Sequence, residues 1–150
     1  MNKIEGFREQ LESPSLNGIT FPDGTIKIFD IKVEWSPTII YTIKEKEDSS
    51  IDILKSIGQL HWSDCAVITK LIDKERSIEV IAGEGDYGDD GFVGVIDLNS
   101  RKLIWLAFFN CSNPFDKLKI IDDYLYARST SGCFWKFKIE DPTIFEVTCL

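Results

Sequence analysis

Four runs, CAVITKLID (65–73), SIEVIAGEG (77–85), GFVGVIDL (91–98) and KLIWLAFF (102–109), decide the fold. Each is short, apolar and rich in β-branched or aromatic residues, the composition of a strand. Four more follow them: DKLKII (116–121), YLYARS (124–129), CFWKFKI (133–139) and TIFEVTC (143–149). Turn chemistry separates them at Asp73-Lys74-Glu75-Arg76, Asn99-Ser100, Asn113-Pro114, Asp122-Asp123 and Ser131-Gly132. No helical pattern intervenes, so the strands make an antiparallel meander and not βαβ units.

Working outward, VIDLNSRKLIWLAFF (95–109) and LYARSTSGCFWKFKI (125–139) share an order of strand, polar turn, tryptophan and aromatic. Trp105 and Trp135 hold the equivalent place, which suggests propeller blades. A closed propeller needs more chain than this, so an open propeller-like sheet or a sandwich is expected. Toward the N-terminus, Pro22-Asp23-Gly24 is a turn. Thr25–Trp35 alternates, with a phase slip at Phe29-Asp30 that reads as a bulge. Pro37 interrupts, and TIIYTIK (38–44) is a further β-rich run. IDILKSIGQL (51–60) reads as a short helix or an irregular loop, with Ser49 or Ser50 as a candidate cap. Ile4, Phe7 and Leu11 form one apolar stripe, predicting a short N-terminal helix that Ser13-Pro14 ends.

The chain has 150 residues, about one domain's worth, and a single domain over residues 1–150 is expected. Such a chain buries roughly 68–70% of its unfolded surface and needs no metal or disulfide to fold. Seventeen basic against twenty-five acidic residues give a net charge of −8. That balance argues against nucleic acid or an anionic membrane as partner. MNKIEGFREQ has no signal-peptide pattern and no run reaches membrane-span length, so a cytoplasmic protein is expected.

Cys65, Cys111, Cys133 and Cys149 include no C-x-x-C, and the one histidine, His61, lacks a partner at metal spacing. No metal and no cofactor are expected. Cys65 and Cys133 sit in apolar runs and read as buried small hydrophobes, and four free thiols in a reducing compartment are expected. A Cys–His pair using His61 is the one nucleophilic option, and nothing local marks an activated thiolate. Trp105, Phe108, Phe109, Phe115, Trp135 and Phe137 read as core, because adjacent Phe108-Phe109 do not fit a sugar-stacking face.

The segment Gly83-Glu84-Gly85-Asp86-Tyr87-Gly88-Asp89-Asp90-Gly91 stands apart. From Ser77 to Ser100 there are six acidic residues, Glu79, Glu84, Asp86, Asp89, Asp90 and Asp97, and no basic one. As a calcium loop it lacks the D-x-[DN]-x-[DN]-G spacing and the distal glutamate. As a hydrolase it offers paired carboxylates, but no nucleophile or cofactor motif accompanies them. As a solvated turn it needs no function. As a binding surface it sets uncompensated carboxylates around one tyrosine, suited to a basic partner.

The run IAGEGDYGDDGFVGVIDLNSRKLIWLAFFNCSNPFDKLKI (81–120) resembles the small immunity proteins of bacterial contact-dependent growth inhibition and related polymorphic-toxin systems. The loop 83–91, the strand LIWLAFF and Ser112-Asn113-Pro114-Phe115 carry the resemblance; residues 1–64 do not share it. Those families vary in fold, so the likeness supplies no binding residue by position. It implies a cytosolic, non-enzymatic protein that binds one cognate toxin and blocks its active site. Many such toxins resemble nucleases with basic substrate clefts. The expectation is therefore an immunity protein whose partner-binding residues are Glu84, Asp86, Tyr87, Asp89, Asp90 and Asp97. A carboxylate-based or metal-assisted hydrolase using loop 84–90 is one alternative, and a β-rich carbohydrate-binding or scaffold module another.

Overall fold

The computed structural model describes residues 11–150, and the helix expected on Ile4 and Phe7 lies outside the described residues. Among the described residues the first strand is β1 (Leu11–Pro14), where the sequence reading placed the end of that helix. Leu11 is instead a buried strand residue opposite Cys65. Pro14 closes the strand at a sheet edge, where a missing N–H costs nothing.

Then come β2 (Gly18–Thr20), β3 (Thr25–Glu34), β4 (Ile40–Glu45), β5 (Ser49–Ser50) and α1 (Ile51–Ser56). Gly24, at φ +89°, closes the β2–β3 turn as the Pro-Asp-Gly pattern predicts. The phase slip in β3 accompanies a change of partner. Ile26–Ile28 pair with β2, and Phe29–Glu34 pair with β4 in unbroken register. Ser50 caps α1 by accepting from the Ile53 N–H at 3.1 Å, so 51–60 is a helix for its first half. Only Leu54 of the helix is buried, and Gly58 at φ +71° follows its end.

The eight C-terminal runs all form strands: β6 (Trp62–Asp73), β7 (Ile78–Glu84), β8 (Gly91–Asp97), β9 (Leu103–Phe109), β10 (Phe115–Ile121), β11 (Tyr124–Ser129), β12 (Cys133–Lys138) and β13 (Phe145–Cys149). The protein is mainly β, and among the described residues every strand pairing is antiparallel. One sheet runs β1-β6-β7-β8-β9-β2-β3-β4, with β5 beside β3; the other is the meander β10-β11-β12-β13. Neither closes into a barrel. Trp105 and Trp135 stand on different sheets, and both are buried in one core between them, as in a sandwich.

That core takes Val80, Ala82, Val93, Val95, Ala107 and Phe109 from the large sheet and Leu125, Ala127 and Phe137 from the small one. Phe109 lies 4.4 Å from Trp135, centroid to centroid, and Phe145 stacks on Trp135 at 6.0 Å. Trp105 donates from Nε1 to the Ile139 carbonyl at 3.0 Å, tying the sheets together. A second core on the opposite face of β7–β9 holds Leu11, Ile81, Phe92, Leu106 and Phe108. Phe108 and Phe109 are adjacent because β9 is buried on both sides. All six aromatics of the cluster read from sequence are core.

Cys133 and Cys149 face each other across β12 and β13 and form a disulfide, which corrects the expectation of four free thiols. Cys65 and Cys111 are free. Denatured without reductant, the protein should take up two alkyl labels, and four after reduction. Four labels before reduction would contradict the bridge.

Candidate functional site

The β7–β8 hairpin opens into residues 85–90 instead of closing in a two-residue turn. Its base is tight because glycine stands where other chain passes closely. A Cβ on Gly85 would come within 2.8 Å of Asp90, and one on Gly91 would collide with Ser112 and the Asn113 carbonyl. Two anchors then fix the loop from either side. The Asp86 N–H donates to Ser63 Oγ at 3.0 Å, and the Asn113 N–H donates to the Asp89 carbonyl at 2.8 Å. Neither anchor carries a local sequence signal, since Ser63 and Asn113 belong to other segments.

Five of the six residues singled out in sequence come together here, in different environments. Glu84, Asp86 and Asp89 are exposed, and Tyr87 stands 73% exposed at the tip. Asp90 is only 2% exposed and belongs to the frame of the loop. Its Oδ2 accepts from the Tyr87 N–H at 3.1 Å while its own N–H donates to the Tyr87 carbonyl at 3.0 Å. Burial pushes the Asp90 carboxyl above the ordinary aspartate range, and Asp86 and Asp89 push it the same way. The Tyr87 N–H opposes that shift.

Asp97 is elsewhere. It ends β8, opposite Ile78, a strand's length (roughly 20 Å) from the loop. Its Oδ1 caps the β8–β9 turn, accepting from the Asn99 and Ser100 N–H groups at 2.7 and 3.2 Å. Glu79, the other outlying acid, is buried and paired to Arg101 at 2.9 Å, so the acidic run is partly compensated from just beyond its end. The structure adds two carboxylates that the sequence reading missed. Glu12 and Asp64 face each other in the β1–β6 register, beside the Ser63 anchor.

Nucleophilic chemistry has no support in the two free thiols. Burial drives the Cys65 thiol far above its usual range, and Asp64, Asp86, Asp90 and Glu12 push it further. Cys111 is raised to about 11, by burial first and Asp89 second. Both remain thiols at neutral pH, and the thiolate is the reactive form. Among the described residues, no group of three or more His, Cys, Asp or Glu side chains is placed to hold a metal ion. What the loop offers is a set of exposed carboxylates around a phenol ring, on a backbone anchored from two sides.

A carboxyl whose folded pKa is raised stabilises the fold while protonated, and that contribution is lost as pH rises through the folded value. Asp90→Asn should therefore raise the thermal midpoint at pH 7, with the gain shrinking below about pH 4. Asp90→Ala also leaves the Tyr87 N–H unpaired and should be less stable than Asp90→Asn by about 0.5–1.5 kcal/mol. A loss of stability in Asp90→Asn that grows with pH would contradict a penalised carboxylate. The chain matches no protein-family model and no curated protein.

Proposed function

We propose that this protein is an immunity protein that neutralises a cognate nuclease toxin by covering its active site. The observation that carries the reading is the display of Glu84, Asp86 and Asp89 around exposed Tyr87. Exposed carboxylates on an anchored backbone would stand in for the phosphates a nuclease cleft expects, and would steer capture of a basic partner. Tyrosine at the tip supplies an amphipathic anchor with little rotamer freedom to lose. The resemblance of residues 81–120 to immunity proteins points the same way. On this reading the protein is not an enzyme. No observation favours the hydrolase, whose paired carboxylates lack a metal cluster or activated nucleophile among the described residues.

The reading also places the protein in the cytoplasm. No helix among the described residues is long and apolar enough to cross a membrane, which is compatible with that location. The Cys133–Cys149 disulfide counts against it, because cytosolic thiol pools keep most cysteines reduced. Labelling of free thiols during lysis decides between the two compartments.

The test is association with the toxin domain encoded directly upstream, measured across a salt series. Removing three rim charges in Glu84→Gln/Asp86→Asn/Asp89→Asn should slow association and flatten its salt dependence. Tyr87→Ala should speed dissociation without changing the salt slope. Asp90 is left intact, so loop geometry is preserved. Identical salt curves for wild type and triple variant would show that the toxin is met elsewhere, and an upstream gene encoding no toxin would remove the reading.

A further inference from the structure

The outer face of the small sheet differs in chemistry from the rest of the molecule. Alternation in β11 and β12 turns Leu125, Ala127, Trp135 and Phe137 inward, and so turns Arg128, Lys136 and Lys138 outward. Lys117 and Lys119 of β10 are exposed on the same side. Five cations thus share three neighbouring strands in a chain of net charge −8. Two carboxylates answer them. Asp116, the extra residue of a bulge opposite Arg128, accepts from its guanidinium at 3.2 and 2.9 Å. Glu146 approaches Lys136 at 3.8 Å. Lys117, Lys119 and Lys138 have no ion-pair partner among the described residues.

Aromatic rings alternate with these cations in register. Tyr126 stands opposite Lys119 on one side and Lys136 on the other, Phe134 opposite Arg128, and Tyr124 opposite Lys138. The Lys136 ammonium lies 4.3 Å from the Tyr124 ring centroid and 5.7 Å from that of Tyr126. Beside Tyr126, and apart from Lys136 and Tyr124, is a hollow of about 370 Å³ walled by Ile121, Tyr126 and Phe134, with Lys117, Lys119 and Arg128 at its sides. A floor that accepts a flat ring beside two exposed lysines and an arginine matches a nucleobase with its phosphate. Repetition of the cation–ring pairs over three strands matches several nucleotides in a row. Duplex hides its base faces, whereas a single strand presents them for stacking.

We propose that this face binds single-stranded nucleic acid, with bases stacked on Tyr126 and Phe134 and phosphates met by Lys117, Lys119 and Arg128. Net charge argues against such a partner only when the charge is spread evenly. Here three neighbouring strands carry five cations against the paired Asp116 and Glu146, a local excess of positive charge, and at physiological salt charges interact over about 8 Å. Asp122 and Asp123 occupy the turn beside Tyr124, so the strand crosses the opposite end of the sheet, at Lys117 and Phe134. The proposal uses strands that the acidic loop does not, and it stands or falls apart from the toxin reading.

The test is fluorescence anisotropy of labelled oligo-dT and oligo-rU of about ten nucleotides, with salt varied between about 50 and 200 mM. Wild type should bind, with a slope of log affinity against log salt near −2 for three phosphates at about 0.7 each. Lys117→Gln/Lys119→Gln/Arg128→Gln should weaken binding at least tenfold and flatten the slope. Phe134→Leu, which keeps apolar bulk but removes the ring, should weaken it about five-fold or more at unchanged slope. Circular dichroism of both variants should match wild type. Absence of binding at the lowest salt overturns the proposal. So does polyglutamate displacing the oligonucleotide while Phe134→Leu has no effect, which would mark a site for acidic protein. Uridine monophosphate competing as well as the oligonucleotide would mark a mononucleotide pocket and also overturn it.

Discussion

Strand β9 has no face turned to water, and the rest of the molecule is arranged around that constraint. A bulge at Ile104 makes it possible. Val95 pairs with Trp105 and Ile96 with Leu103, so Ile104 is an extra residue, left 39% exposed. The slip sends Leu103, Leu106 and Phe108 to one core and Trp105, Ala107 and Phe109 to the other. Trp105 and Phe109 then meet Phe137 and Trp135 of the opposing sheet. Truncating a buried tryptophan such as Trp135 costs about 3–5 kcal/mol, a large share of the 5–15 kcal/mol by which domains are stable.

The loop inherits its rigidity from this arrangement. β7 and β8 are buried along almost their whole length, so the hairpin reaches residues 85–90 from a fixed base. Ser63 on β6 and Asn113 before β10 then hold the loop from both sides. Asp90 turns inward to close it, and Glu84, Asp86 and Asp89 turn outward. A loop anchored in this way loses little conformational freedom when a partner binds, which is the condition for tight association.

Much of the fold was legible because its strands advertise themselves locally. The eight C-terminal runs carry β-branched and aromatic residues between turn signals, and each is a strand. The Trp105 and Trp135 repeat was visible too, but which sheet each joins depends on chain reversals that composition does not encode. Leu11 misled because it completes an apolar stripe at helical spacing, whereas its burial comes from pairing with Cys65 on a distant strand. Cys133 and Cys149 pair across strands, a relation that sequence spacing cannot express. In the site, Asp86 and Asp90 are the same letter, and only burial separates a displayed carboxylate from a structural one. Glu12 and Asp64 join the neighbourhood through β1–β6 pairing, with no local sign.

Two charged surfaces stand out: carboxylates on an anchored loop at the end of the large sheet, and cations with aromatic rings on the outer face of the small one. The central claim is that the acidic loop is where a toxin is met. Hydrogen exchange of the protein with and without the toxin domain encoded upstream tests it most directly. Amides of residues 84–90 should gain protection in the complex, while those of the Asp97–Arg101 turn exchange as in the free protein. Protection centred elsewhere, with loop 84–90 unchanged, would contradict the account.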